Sequence, residues 1–464
     1  MGTIIANEIC GATGGSILSG NLTDQFTGVS ADSRTIGEGE IFLALKGERF
    51  DGHDFLGNAL RYGKGAVVSN ASIRPMEGKT IILVSDTLKA LQDMARSRRM
   101  GKAVTIIGIT GTNGKTTTKE MIASILNVRH KAAKNSGNLN NHIGLPLSLL
   151  KMEEEEFGVF EMGASVKGDI QELCEIAVPD IGVVTNIGMG HLASFGSIEV
   201  VRSTKLELLS SVKIALVNAD DLFLMKGVLA ATIRSGMPRI VTFGIEKEAD
   251  IVAKDISLEY RRSLFTISFG DGRSIRIVMN VPGKFNISNA LAAAAVADII
   301  GIATEDIRRG IEAFHGVPMR LEFKEFFGAT VICDAYNANP ASMDGALKEL
   351  VRMKKTRAVA VLGDMLDLGH YAEDAHRRLG RTMAGLYVDL FIAVGPMMSK
   401  AAEEFSSAGG RTIIARDACE AREILRNSCG AGDAILLKGS RGMGMERVLE
   451  MTHKESVVQS RGEG

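Results

Sequence analysis

The eight residues Thr110-Gly111-Thr112-Asn113-Gly114-Lys115-Thr116-Thr117 constrain this chain more than any other stretch. They follow an apolar run, Val104–Ile109, and precede a segment in which Met121, Ile122, Ile125 and Leu126 recur at helical spacing. Glycines between a strand and a helix let the backbone curl until its N–H groups converge on one anion, and the helix N-terminus adds partial positive charge. In such a loop Lys115 reaches the β- and γ-phosphates of a nucleotide, and Thr116 ligands Mg²⁺. The general form GxxxxGK[ST] asks for glycine where this chain has Ile109, whereas the shorter GTxGKT[TS] fits throughout. A dinucleotide site would need GxGxxG after the strand, which Gly108-Ile109-Thr110-Gly111 does not supply.

Three blocks separate along the chain. The first holds short strands at Glu40–Leu45, Gly65–Ser69 and Thr80–Ser85, then a helix from Thr87 to Arg99, with Arg96–Lys102 as a linker. The second begins at the phosphate loop and adds strands at Gly158–Glu161, Ile181–Thr185 and Ile214–Val217. A β-rich stretch, Ile251–Val281, then leads to an Ala-rich helix after Asn289. Phe314–Met319, with Gly316 and Pro318, reads as a hinge. The third block alternates strands at Thr330–Asp334, Ala358–Gly363, Leu390–Gly395 and Ala434–Lys438 with helices, as in a small doubly wound sheet.

At 464 residues the chain has room for about three domains. A net charge of −1 offers no basic field for nucleic acid or an anionic membrane surface, and the run Glu153–Glu156 reads as a solvated turn. The five cysteines (Cys10, Cys174, Cys333, Cys419, Cys429) form no CxxC pair and read as reduced, mostly buried thiols. Ser288–Ala303 is broken by Asn289 and Asp298, so no membrane insertion is expected. MGTIIANEIC lacks the basic region of a signal peptide, which points to the cytoplasm. The methionines, including Met397-Met398, Met443 and Met445, read as core filler.

The motifs form an ordered series. GTNGKTT is followed by FEMGAS (Phe160–Ser165), NIGMGHLASFGS (Asn186–Ser197), Lys205, GKFNISNALAA (Gly283–Ala293) and MRLE (Met319–Glu322). This series resembles the Mur ligases, and VSADSR (Val29–Arg34) and LKGERFDGHDF (Leu45–Phe55) are similar to that family's uridine-diphosphate-binding domain. The resemblance covers essentially the whole chain. It implies an α/β fold in three domains: residues 1–98, a small α/β domain for the UDP substrate; 99–316, a central P-loop ATPase with a mostly parallel sheet; and 317–464, a Rossmann-like domain. NLNNHIGLP (Asn138–Pro146), DAYNANPASM (Asp334–Met343) and LGDMLDLG (Leu362–Gly369) resemble the family member that adds D-alanyl-D-alanine to a UDP-linked muramoyl tripeptide. The relative that adds the third amino acid carries DYAHTP-like and DNPR-like segments, which do not occur here.

The resemblance assigns roles residue by residue. Gly111, Thr112, Asn113, Gly114, Lys115, Thr116 and Thr117 bind ATP, with Asn289 at the adenine and Arg320 and Asp334 supplied from the C-terminal block. Thr116, Glu161, His191 and Lys205 make up the metal site, Lys205 as a carbamate formed with CO₂; Lys115, Lys205, His191 and Glu161 are the catalytic set. Ser33, Arg34, Gly47, Asp51 and His53 hold the nucleotide sugar. Asn138, Asn140, Asn141, Tyr336, Asn337 and Asn339 meet the peptide substrates, and Lys438, Ser440 and Arg441 take the dipeptide carboxylate. An Asn in such a loop can equally bond its own backbone in an Asx turn. Two positions depart from the family: Leu206 stands where relatives have Gly, and Phe285 where they have His. His376 is left open.

The implied reaction is an ATP-dependent ligation by a monomer, with ATP and Mg²⁺ as cofactors and the tripeptide and D-alanyl-D-alanine as partners. The γ-phosphoryl of ATP activates a carboxylate, and an amine displaces phosphate. Alternatives are a sibling ligase adding another amino acid, a folylpolyglutamate-type enzyme, which begins directly with the ATPase, and a nucleotide-binding scaffold without chemistry.

Overall fold

In the computed structural model, which describes residues 3–47, 49–232 and 238–450, strands and helices alternate around three main sheets. The start of MGTIIANEIC, Glu48 of LKGERFDGHDF and residues 451–464 of the third block lie outside the described residues. Among the described residues the central sheet has nine strands. From one edge, Ala132–Lys134, Phe157–Glu161, Thr105–Thr110, Ile181–Val184, Ile214–Asn218, Arg239–Gly244 and Ile251–Leu258 run parallel. Ser263–Phe269 and Ser274–Met279 extend it antiparallel, which accounts for the β-rich stretch. Apolar runs such as Ile181–Val184 are buried along their whole length because helices cover both faces of the sheet.

Strand order is what builds the site. Thr105–Thr110 lies between Phe157–Glu161 and Ile181–Val184, with Ile109 opposite Glu161 and Thr110 opposite Val184. The phosphate loop, Glu161 and the turn at Thr185–Asn186 therefore leave the sheet side by side at its carboxyl edge, where parallel α/β folds place ligands. The third sheet repeats the device. Glu322–Phe326 runs antiparallel to Ala329–Asp334, followed by Ala434–Lys438, Ala358–Gly363, Leu390–Val394 and Thr412–Ala415 in parallel. The first sheet has the order Ser16–Ser19, Thr80–Leu83, Gly65–Val68, Ile41–Leu43, Val29–Ser30.

Several expectations need correcting. The stretch Arg96–Lys102 is no loose linker, because the helix Thr87–Met100 runs through most of it. Arg98 donates to the Met152 carbonyl, while Arg99 donates to the carbonyls of Ala177 and Val178 and to Asp180, so the basic residues fasten the helix to the second block. Leu91, Met94 and Ala95 share one apolar cluster with Leu145, Leu149, Leu173 and Ile176. The Ala-rich helix begins before Asn289, at Lys284, and runs to Ile299. All five cysteines are free, but only Cys174 and Cys333 are buried; Cys419 is exposed. Among the described residues no helix is long and apolar enough to cross a membrane.

Arg99 offers a direct check on this docking. Arg99→Ala removes hydrogen bonds to four acceptors, the carbonyls of Lys102, Ala177 and Val178 and the Asp180 carboxylate, and is expected to cost about 2–4 kcal/mol. Guanidinium denaturation reads the loss, and a midpoint equal to the parent's contradicts it.

Candidate active site

The phosphate loop is fixed by its neighbours before any ligand arrives. Thr112 and Asn113 donate through their backbone N–H groups to the carbonyl and Oδ1 of Asn186, at 3.0 and 2.9 Å. Thr185 Oγ1 and Asn186 Nδ2 donate to the Asn113 carbonyl at 2.6 and 3.0 Å. Thr112 Oγ1 accepts from Gly188 N at 2.8 Å. Gly114 adopts φ 83°, and its Cα faces Asn289 Oδ1 so closely that a Cβ would collide. The helix Lys115–Leu126 starts there, and its first N–H groups have no acceptor within the helix. Thr117 is buried in that first turn.

Around this loop four functional groups converge. Thr116 Oγ1 donates to Glu161 Oε2 at 2.7 Å, and Asn140 Nδ2 donates to Glu161 Oε1 at 2.8 Å. Arg320 reaches across from the third block to donate to Thr116 Oγ1 at 2.9 Å. Burial pushes the Glu161 carboxyl up, but Lys115, Thr116, Arg320 and Asn140 outweigh it and hold the pKa below the usual value. Lys115 folds back onto the carbonyls of Gly111 and Thr112 at 2.9 and 3.2 Å. Its own pKa is lowered, by burial first and by Arg320 second, with Glu161 opposing.

Lys205 is buried on the helix Ile198–Leu206. Burial, then Lys115, lowers its pKa to about 7, against the pull of Glu161 and Asp169. His191 is exposed on a left-handed backbone (φ 55°), with Nδ1 3.6 Å from Asp367 Oδ2. Its pKa is lowered by burial of the ring and by Lys115. Thr116 and Glu161 offer hard oxygens beside a phosphate cradle, a donor set that fits Mg²⁺. Among the described residues no group of three or more His, Cys, Asp or Glu forms a metal cage.

The remaining expected residues divide into those that face open space and those that hold others. Asn289 is buried under the loop, accepting from Thr118 and donating to Asn286 Oδ1. Phe285, on the same helix, is exposed. Asn141 accepts from the N–H groups of Ile143 and Gly144, the Asx-turn alternative, and both it and Asn138 are exposed. Asn339 caps the helix Pro340–Met353 and exchanges two hydrogen bonds with Asn113, at 2.7 and 3.3 Å. Asn337 is exposed, and Tyr336 lies under the Arg320 guanidinium, 4.1 Å from ring centroid to Cζ.

Lys438 departs from its expected role. It is buried, paired with Asp334 Oδ2 at 2.5 Å and donating to the Asn337 carbonyl at 2.9 Å, so its ammonium is spent inside the protein. Asp334, occupied by that pair, also accepts from Leu321 N. Ser440 Oγ is buried and accepts from Leu366 N. Arg441 remains largely exposed, with Glu446 as its ion-pair partner.

In the first block, Asp51 accepts from His53 N and from His53 Nδ1, while His53 Nε2 accepts from Ser69 N at 3.0 Å. Both ring nitrogens are therefore engaged within the protein. Arg34 pairs with Asp32, and its guanidinium is exposed; the Ser33 carbonyl accepts from Asn58; Gly47 N–H closes the turn to Phe50.

Four contributors were not singled out from the sequence. Thr185 and Asn186 latch the loop, and their signal was their place just after a buried strand. Asn135 is buried and brackets Glu161 by bonding both its N–H and its carbonyl. Asp367 faces His191. His376 also resolves: it is fully buried and accepts from Met365 N, a structural task.

Gly114→Ala tests the loop geometry. Strain of about 1–3 kcal/mol in a left-handed non-glycine residue, added to the clash with Asn289, should weaken ADP binding about tenfold or more in calorimetry. Unaltered affinity would show that the loop tolerates a side chain there.

Comparison with known proteins agrees with these motifs along the chain. Family models match for the Mur ligase family catalytic domain (residues 25–99), the Mur ligase middle domain (109–297) and the Mur ligase glutamate ligase domain (319–441). The UDP-N-acetylmuramoyl-tripeptide–D-alanyl-D-alanine ligase of Bacillus subtilis strain 168 is 36% identical over 437 residues, spanning 91% of this chain and 92% of the relative. A crystal structure of MurF from Acinetobacter baumannii superposes with a TM-score of 0.88 at 32% identity, over 97% of this chain and 98% of that one. MurF ligase from Thermotoga maritima, in complex with ADP, gives 0.81 at 30% identity, over 93% and 98%. With its loop, carboxylate and hinge arginine in place and relatives matched over nearly their whole length, this chain belongs to the Mur ligase family.

Proposed function

We propose that the protein is an ATP-dependent ligase that joins D-alanyl-D-alanine to the terminal carboxylate of a UDP-N-acetylmuramoyl tripeptide, a step of peptidoglycan precursor synthesis in the cytoplasm. The observation that carries this reading is the convergence of Lys115, Thr116, Glu161 and Arg320 on one phosphate loop, in a chain 36% identical to a ligase of that name. In the first chemical step the γ-phosphoryl of ATP passes to the substrate carboxylate, giving an acyl phosphate and ADP. The dipeptide amine then attacks the acyl carbon, and the tetrahedral intermediate expels phosphate to leave the amide.

The residues divide these tasks. Loop N–H groups and Lys115 cradle the phosphates and offset their charge. Thr116 and Glu161 would hold Mg²⁺, which when bound neutralises charge building on the transferred phosphoryl oxygens. Arg320 adds a cation only while the third block is docked, so reaction is tied to a site closed against water that would hydrolyse the acyl phosphate. Arg441, with its exposed guanidinium, is the cation left to meet the dipeptide carboxylate, since Lys438 is engaged with Asp334. Asn138 and Asn337 are exposed for substrate contacts, and the first block, with Ser33, Arg34 and the Asp51–His53 turn, takes the nucleotide sugar. The enzyme acts as a monomer.

Phosphate release decides the reading. Purified protein with ATP, Mg²⁺ and UDP-muramoyl tripeptide should release phosphate only when D-alanyl-D-alanine is added, with a product heavier by one dipeptide residue. Release that instead needs a single amino acid would reassign the step.

Lys205 makes a second test. Its neutral amine can add to CO₂ and lose a proton, giving a carbamate that would supply carboxylate oxygens beside Glu161. With a pKa of about 7, the amine is protonated and unreactive below that pH and becomes free as pH rises through it. Recovery of CO₂-depleted enzyme by bicarbonate should therefore be greater at pH 8 than at pH 6. Lys205→Ala should lose activity and regain part of it with a short carboxylic acid. Loss that no carboxylate relieves would remove the carbamate from the scheme.

A further inference from the structure

The loop Leu362–Gly369 leaves the strand Ala358–Gly363 of the third sheet and lies against the central block. Three buried anchors hold it. The Asp364 carboxylate accepts from Met397 N at 3.3 Å and Met398 N at 2.6 Å. His376 donates through Nδ1 to the Ala372 carbonyl at 2.6 Å and accepts through Nε2 from Met365 N at 3.0 Å. Ser440 Oγ accepts from Leu366 N at 2.8 Å. Every one of these anchors belongs to the third block.

Beyond the anchors the backbone turns left-handed at Asp367, with φ 62°. Its carbonyl accepts from Ala193 N, on the central block, at 3.0 Å, and Gly369 lies against Ala193. This seats the Asp367 carboxylate 3.6 Å from His191 Nδ1. His191 is itself left-handed, so two non-glycine residues in a costly conformation meet across the block boundary. Such conformations persist where the surroundings impose them, and they gather at functional sites. Asp367 is about two-thirds exposed, and an exposed pair of this kind adds little adhesion between blocks. What it can supply is orientation.

We propose that Asp367 is a positioning residue, which the docking third block brings to Nδ1 of His191. At 3.6 Å the carboxylate is just beyond hydrogen-bond length. A shift of a few tenths of an ångström would let it hold the imidazole proton on Nδ1 and leave the Nε2 lone pair as the acceptor or ligand atom, as in carboxylate–histidine pairs at metal sites. Docking then delivers two things together, the Arg320 cation to Thr116 and the carboxylate that sets the tautomer of His191. The inference rests on the ligase reading above for what His191 does, but the contact itself does not depend on it.

Asp367→Asn and Asp367→Glu in the full chain test the proposal. Asp367→Asn should lower kcat for phosphate release about 10- to 100-fold, the usual loss when such a partner is removed, with KM for ATP and dipeptide within about twofold. Asp367→Glu restores a carboxylate and should recover most of kcat. Free of any assay, ¹⁵N-histidine spectra with ADP, assigned against His191→Gln, should show His191 as the Nδ1–H tautomer in the parent and as a mixture in Asp367→Asn. A parent-like kcat in Asp367→Asn, a defect confined to KM, no recovery by Asp367→Glu or an unchanged tautomer would overturn the proposal. A parent that releases no phosphate would instead remove the ligase reading, with the spectra still judging the Asp367–His191 pair.

Discussion

Glu161 is a carboxylate taken out of water, and the site is organised around keeping it charged. Without compensation such burial costs several kcal/mol and drives the group to protonate. Here Lys115 and Thr116 come from the phosphate loop, Asn140 from the segment after the strand Ala132–Lys134, and Arg320 from the hinge. Asn135 adds a fifth support by bracketing the Glu161 backbone rather than its carboxylate. These segments are remote in sequence and meet only because strand order places their ends together. The charge thus depends on the fold, and the fold leaves a preorganised anion where a cation and phosphates are to be held.

Docking of the third block completes this arrangement from the other side. Arg320 sits between Met319 and Leu321, both left-handed, with φ 57° and 51°. Its guanidinium rests on Tyr336, Leu321 N–H is held by Asp334, and Asp334 is held by Lys438. A line of contacts therefore runs from a buried strand end of the third sheet to Thr116. The two left-handed residues hold Arg320 in a conformation that costs about 1–3 kcal/mol each, and the Asn113–Asn339 exchange and the Arg320–Thr116 bond tie the third block to the phosphate loop.

The legible part of this molecule was the part with a local signature. The strand–loop–helix of the phosphate site and the buried strands could be read because glycine spacing and apolar runs are properties of short windows. The ends of the expected strands fall within a residue or two of the observed ones, and Glu161, which the resemblance marks as a metal ligand, does end a strand. What could not be read depends on register and on contacts far along the chain. Lys438 looked like a free cation because nothing local reveals that Asp334 lies directly opposite it. Arg98 and Arg99 looked like linker residues because their acceptors lie over fifty positions away. Asn141 and Asn138 are the same residue type in one motif, and only the path of the chain into the helix Gly144–Leu150 brings Asn141 the N–H groups of Ile143 and Gly144.

Leu206 shows why a departure from a family pattern need not disturb chemistry. Relatives have glycine there, and the larger side chain needs space. It finds that space at Gly227 on the facing helix Leu222–Thr232, where a Cβ would meet Leu206 and Arg202. Leu206 and Gly227 thus pair a large residue with a small one, an exchange of volume that close-packed interiors tolerate. Successive helical residues point about 100° apart, so the exchange happens on a different face from Lys205. The buried amine keeps its place beside Lys115 and Glu161, because the added volume of Leu206 is taken up by Gly227 and not by the site.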